Sequence, residues 1–312
     1  MLAPVSRRGN IALLTPTSLD SAANKGTPVL FRLKSLASAL ILGAFVVAAG
    51  AFAQRRAEQP NAPLPNAPIT EARGAGRPLV VIDAGHGGKD AGAISPTTGI
   101  REKDVNLAVA RAIRDALARS GRVRVAMTRD DDSFVPLPGR VAIARGLHAG
   151  LFVAVHSDSA PNPLARGATI YTLSEVASDR EAERLAAAEN RRAGVADVDL
   201  GTSDPSVRAI LADLTQRETM AVSADFAGLL QREAAGRGVG FRQQYHRFAN
   251  FVVLKAADTA AVLLETGYLT NDADMRFLTS PEGRARIGTG MARAIETHFA
   301  RWKAAPGRNG PL

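Results

Sequence analysis

The chain has no cysteine among its 312 residues. That excludes disulfides and every zinc site built on thiolates; a metal held here must use His, Asp or Glu. Histidine is scarce, at five residues, so metal or acid/base roles fall to few positions. Aromatics make up 5% and include one tryptophan. No aromatic stacking run, basic helix face or phosphate loop occurs, which argues against nucleic acid as a partner. The chain is also short of charge imbalance over most of its length. Through Pro78 it carries nine of its 39 Lys/Arg and three of its 30 Asp/Glu, a net of +6; the rest carries 30 against 27. The formal charge of +9 is thus mostly a property of one end. What is plentiful is apolar residues, 46%, enough for a globular core.

The N-terminal stretch reads as an export segment. Arg7, Arg8, Lys25, Arg32 and Lys34 precede an apolar run, Leu36–Ala53, that closes Ala51-Phe52-Ala53 before Gln54. A basic region, a short apolar run and a small-x-small end are the marks of a cleaved signal peptide. The run is at the short end of the ~17–25 residues that span a bilayer, and an uncleaved anchor is the alternative. Residues 1–53 are therefore expected to be signal or anchor, placing the rest in the periplasm. Residues 54–78, rich in Pro, Ala, Asn and Arg without periodicity, are expected to be a disordered linker.

From Leu79, apolar runs alternate with helical patterns. Leu79–Ile82, Val123–Met127, Leu151–Val155, Ala168–Leu173, Phe251–Leu254 and Ala261–Leu264 read as strands. Val105, Val109, Ala112, Ile113 and Leu117 form a helical stripe, with Gly121 beyond its end, and Ser280-Pro281 opens a C-terminal helix. The expected fold is a single α/β domain over 79–303, a mostly parallel twisted sheet of about six strands with helices on both faces, followed by a tail at 304–312.

Four segments carry the chemistry: DAGHGGKDAGA (Asp83–Ala93), GIREKD (Gly99–Asp104), FVAVHSDSA (Phe152–Ala160) and VLLETGYLTN (Val262–Asn271). His86, Glu102 and His156 supply two imidazoles and a carboxylate, the ligand set of a hydrolytic zinc centre with one open position. In open α/β sheets ligands gather at the carboxyl ends of strands, where His86, His156 and Glu265 all fall. Glu265, an acid at the end of a buried strand, suits general acid/base work. Asp83 suits a supporting position, holding a loop or orienting an imidazole. Taken singly, each has a plainer role: His86 as a hydrogen-bonding residue in a Gly-rich turn, Glu102 as a first-turn acid facing the helix dipole. The turn GHGGKDAG lacks the spacing of a phosphate cradle. His148 and His298 read as structural or solvated, and His246, in an expected loop, has no assignment.

These four segments, in this order and strand context, resemble the zinc-dependent N-acetylmuramoyl-L-alanine amidases of cell separation, from about Leu79 to Trp302. The resemblance implies hydrolysis of the amide between the lactyl group of muramic acid and L-alanine in peptidoglycan, with Zn²⁺ as cofactor and Glu265 as the catalytic residue. It leaves two alternatives to weigh, a non-catalytic wall-binding protein and a zinc peptidase acting on free peptides. Related amidases often carry an N-terminal wall-targeting β-domain; none is expected in the segment before Leu79.

The stretch 174–240 is too long for a simple connection and holds two helical patterns. The first, Asp179–Asn190, opens with Ser178-x-x-Glu181, a capping box, and bears the stripe Ala182, Leu185, Ala186. The next position on that stripe is Glu189, and a carboxylate on a buried helical face needs a partner or a metal. The second begins at Asp204-Pro205 and runs to Ala235. A surface hairpin is the plain reading. The resemblance implies a helix that covers the zinc, with Glu189 as its autoinhibitory residue, until a protein activator binds the insertion, as through the exposed face of the Pro205–Ala235 helix. A monomer is expected.

Overall fold

In a computed structural model the described residues are 69–70, 76–192, 207–255 and 258–304. The export segment, most of the linker and the expected cap at Asp204-Pro205 lie outside them. No described helix is long and apolar enough to cross a membrane.

The sheet has strands β1 (Ile69–Thr70), β2 (Leu79–Ala84), β3 (Arg124–Met127), β4 (Leu151–His156), β5 (Ala168–Leu173), β6 (Phe241–Ala249) and β7 (Ala261–Glu265). Their order is β1-β3-β2-β4-β7-β5-β6. β3, β2, β4 and β7 run parallel; β1 joins antiparallel at one edge, and β5 meets β7 antiparallel at the other. The helices are α1 (Glu102–Ser120), α2 (Leu137–Gly146), α3 (Arg180–Arg192), α4 (Val207–Ala235), α5 (Asp272–Thr279) and α6 (Pro281–Ala304). The α1 stripe closes as its spacing predicts: Gly121 takes φ 61° and returns its N–H to the Leu117 carbonyl.

Strand residues alternate between two cores, as a period of two requires. Val80, Ile82, Leu151, Val153, Val155, Val262 and Leu264 pack on one face with α1, α4 and α6. Leu79, Val81, Phe152, Ala154, Ala261 and Leu263 pack on the other with α2 and α3. Continuing that alternation places Asp83, His156 and Glu265 on the α2/α3 side, at the carboxyl ends of three adjacent parallel strands. The register confirms the meeting: His156 pairs with Glu265 across β4 and β7.

Four local expectations are corrected. Phe251–Leu254 is not a strand; Val252–Leu254 forms a 3₁₀ turn whose Val253 and Leu254 fill the α2/α3 core. The strand in that region is β6, which includes His246, expected in a loop. Its polar run FRQQYHRFA carries no strand signal because an edge strand is only half covered. Two residues inside the expected linker, Ile69 and Thr70, pair with Ala126 and Val125. The 174–240 stretch does connect β5 to β6, and its first helix is capped by Asp179, whose carboxylate accepts the Glu181 and Ala182 N–H groups at 2.9 and 3.0 Å. Ser178 instead accepts the Phe248 N–H, so the capping box does not form.

Candidate active site

His86, Glu102, His156 and Glu189 converge on one point. Glu102 Oε1 lies 3.1 Å from His86 Nε2 and 3.1 Å from His156 Nδ1. Glu189 Oε2 lies 3.5 and 3.7 Å from the same two nitrogens. Ligands ~2.0–2.1 Å from a tetrahedral cation are roughly 3.4 Å from one another, so these separations fit a metal. His86, His156 and Glu189 offer one ligand atom each within 4.8 Å of one another, a group that can hold a metal ion. Two further observations point the same way. His86 Nε2 is buried without a hydrogen-bond partner. His86 is also pushed up to about 11: burial lowers it, but the Glu102 charge, the hydrogen bond to Asp90 and the Glu189 charge together outweigh that. The cluster of carboxylates calls for positive charge at that point, which a divalent cation supplies.

The backbone around His86 is built to aim the ring. His86 itself has φ 61°, the left-handed region that costs a residue with a Cβ. Arg140 holds it there: one guanidinium nitrogen donates to the His86 carbonyl at 2.8 Å, and the other to the Ala84 carbonyl and, at 2.6 Å, to the Asp83 carboxylate. Asp83 thus acts on the loop through Arg140 and touches no imidazole. The residue that orients the His86 ring is Asp90, 2.8 Å from Nδ1, which leaves Nε2 facing the cluster. Two glycines make the space. A Cβ at Gly85 would sit 2.5 Å from the His156 ring, and one at Gly92 would meet His86 Cδ2 and Glu102 Oε2 at 2.6 Å each.

Glu102 opens α1 and is fully buried. Its carboxylate accepts N–H groups from Ala93 at 2.8 Å and Ser157 at 3.1 Å, and the Asn106 amide at 3.2 Å. Burial would raise it, but His86 and His156 hold it well below the usual carboxylate range. Glu265, at the end of β7, is also fully buried. One oxygen accepts the Asp158 N–H at 2.9 Å, and Oε1 has no partner. Burial, reinforced by the charges of Asp158 and Glu102, pushes Glu265 well above its ordinary value. A buried carboxyl with one free oxygen and a high proton affinity is suited to exchanging a proton with a bound reactant.

The family profile of N-acetylmuramoyl-L-alanine amidase matches residues 80–297. The chain belongs to that family. It is 36% identical over 228 residues to the amidase AmiC of Neisseria meningitidis, covering 73% of this chain and 54% of that one. It is 35% identical over 229 residues to AmiA of Escherichia coli, covering 73% and 78%. Among solved structures it resembles the catalytic domain of CwlV, an amidase from Bacillus (Paenibacillus) polymyxa, at 28% identity and a TM-score of 0.52, over 72% of this chain and 98% of that one. The chain is an amidase by family, and the expected α/β fold is the family's own.

In this amidase the remaining histidines stand apart from the cluster. His246 bonds Thr172 Oγ1 at 3.0 Å. His298 is buried between Phe226 and Phe299, and burial pulls it down to about 4. Asp90, Asp158 and Arg140 are the site residues that sequence reading missed. Asp90 had a signal, its position four residues after His86 in the same Gly-rich turn. Arg140 had none, since it reaches the loop from α2.

Over the cluster lies α3. Its Ala182 and Ala186 are buried in the α2/α3 core, and Glu189 is 8% exposed. Arg192 Nη1 holds the other Glu189 oxygen at 2.6 Å. Asn190 donates to the Asn250 carbonyl and accepts the Val252 N–H. A cavity of about 20 Å³ beside His86, His156 and Glu189 leaves room for about one water.

Proposed function

We propose that this amidase cleaves the amide between the lactyl group of N-acetylmuramic acid and L-alanine in peptidoglycan, using a zinc ion held by His86, Glu102 and His156. The observation that carries the reading is the meeting of two imidazoles and a buried carboxylate at 3.1 Å, beside a buried acid with a free oxygen. Zinc, when bound, supplies Lewis-acid polarisation of the scissile carbonyl and a lowered pKa for water beside it. Glu102 and Asp90 fix the charge and the ring orientation that make His86 and His156 ligands. Glu265 Oε1 takes a proton from the attacking water and returns it to the leaving nitrogen. The C–N bond breaks, giving a lactyl carboxylate and a free L-alanine amine. The Asp158 N–H bond to Glu265 Oε2 keeps Oε1 pointed at the reactants.

Glu189, on this reading, occupies the position a substrate carbonyl or water needs, and α3 is an autoinhibitory cover. Opening requires a protein activator that binds the 174–240 insertion and favours the open state; Leu214 on α4 is an exposed apolar residue on that insertion. The site of action is the periplasm, with residues 1–53 as export signal or anchor. Zinc-loaded protein, with and without Glu189→Ala, assayed on purified sacculi and on free stem peptides, tests the reading. Release of peptide from sacculi with a new amino terminus at L-alanine supports it. Cleavage of free peptides alone makes it a peptidase, and binding to sacculi without turnover by either form makes it a wall-binding protein.

A further inference from the structure

The N-terminal end of α3 presents a carboxylate to a site of its own. Glu181 Oε1 is 2.6 Å from Arg242 Nη1, and Oε2 is 3.2 Å from Arg242 Nη2 and 2.8 Å from Arg247 Nη1. Arg242 Nη1 also donates to the Tyr268 hydroxyl at 2.6 Å, and the guanidinium carbon Cζ lies over that ring, 5.6 Å from its centre. Arg247 is 5% exposed, and its Nε has no hydrogen-bond partner, with Asp179 Oδ2 3.6 Å away. Two guanidinium groups and a phenol around one carboxylate form a built recognition site, because the planar fork matches carboxylate geometry.

Its position is tied to the active site. Arg247 pairs with Tyr171 on β5, and Tyr171 with Leu263 on β7, two residues before Glu265. At ~4.8 Å per strand and ~3.3 Å per residue, Arg247 sits roughly 12 Å from Glu265 on the same face of the sheet. An extended peptide covers that distance in about three to four residues. Tyr268, whose hydroxyl accepts from Arg242, follows Glu265 by three residues in the chain.

We propose that Arg242 and Arg247, with Tyr268, form a subsite for a free carboxylate of the peptidoglycan stem peptide, and that Glu181 fills it as a stand-in while α3 is closed. The inference rests on the amidase reading and names how that site chooses its substrate. When α3 leaves, both guanidinium groups lose their counter-charge; a stem-peptide carboxylate, about three residues beyond the amide cleaved, replaces it. Leaving a largely buried guanidinium unpaired is costly, so an anionic peptide is favoured over a neutral one of the same shape. Substrate and Glu181 compete for the same groups, so substrate binding itself favours opening.

The test uses the zinc-loaded full chain carrying Glu181→Gln and titrates it by calorimetry with the product tripeptide L-Ala-γ-D-Glu-meso-diaminopimelate, as the free acid and as the carboxamide. Binding of the free acid at least tenfold tighter, with the preference erased by adding Arg242→Gln, is the expected result. Equal affinity for the two forms overturns the proposal and leaves the arginines as a clasp for α3 alone. So does a preference that survives both Arg242→Gln and Arg247→Gln. Hydrolysis of sacculi by Glu181→Gln is scored in parallel. Hydrolysis without carboxylate preference removes the subsite and keeps the amidase reading; preference without hydrolysis does the reverse.

Discussion

Replacing Glu189 with Ala isolates one contact in the closed state. The side chain makes two kinds of interaction: Oε2 toward the imidazoles at 3.5 and 3.7 Å, and Oε1 with Arg192 of its own helix at 2.6 Å. The second stays within α3 and does not hold α3 to the domain. The first does. A charge-assisted contact in a buried site is worth about 1.5–3 kcal/mol. Its loss shifts the closed-to-open equilibrium by roughly 10- to 150-fold, at ~1.4 kcal/mol per tenfold. The shift is not larger, because Ala182 and Ala186 stay buried, Asn190 keeps its bonds to Asn250 and Val252, and Glu181 keeps its arginines. Glu181 is about a third exposed, so solvent screens its bridges and each adds less than a fully buried pair would. Glu189→Ala is therefore expected to raise basal release of peptide from sacculi by at least tenfold, and adding Asn190→Ala to raise it further. Dye-release from labelled sacculi measures the rate, and mass spectrometry of the metal confirms loading. If both variants stay as inactive as the parent while folded and zinc-loaded, α3 is not a cover and Glu189 has no inhibitory role.

Three other outcomes follow from the geometry. His156→Ala removes a proposed ligand and is expected to abolish both zinc retention and hydrolysis; full zinc occupancy in that variant, by elemental analysis after dialysis, would refute the ligand set. Glu265→Gln keeps the volume and removes the proposed proton acceptor, so turnover should fall by about 10²–10⁴ with zinc content unchanged; loss of zinc would make Glu265 a ligand instead. His298 is held near 4 by burial against an ordinary 6.5, so the unfolded chain gains a proton first as pH falls. Stability is expected to drop between pH 6.5 and about 4, by on the order of 2–3 kcal/mol, and His298→Leu to flatten that dependence. Urea midpoints at pH 7.5 and pH 5 for both proteins read it.

The site was legible because its residues obey the period of the strands that carry them. Asp83 follows Leu79 and Val81, His156 follows Phe152 and Ala154, and Glu265 follows Ala261 and Leu263, all on one face. A strand that is apolar on both faces and ends in an acid or imidazole marks that end as a place where polar groups meet, because a buried polar residue there needs a partner. Glu189 was legible for the helical version of the same reason: it interrupts a stripe of buried small residues. β6 was not, because its face is made by arginines whose partners come from α3, far away in sequence. Phe251–Leu254 misled because four apolar residues fill a core equally well as a strand or as a tight turn.

What connects the two kinds of legibility is that α3 is read twice by the same domain. Its far end sets a carboxylate against two imidazoles, and its near end, eight residues earlier and about 12 Å away at 1.5 Å per residue, sets another against two arginines. That separation is close to the roughly 12 Å between Glu265 and Arg247 estimated from strand spacing. On the proposed reading, one rigid helix spans the reacting centre and the subsite for an acidic peptide. A cover with carboxylates at that spacing needs no contact elsewhere on the domain to exclude the substrate, and shortening or lengthening α3 by one residue, which turns Glu181 by about 100° relative to Glu189, should break one contact or the other.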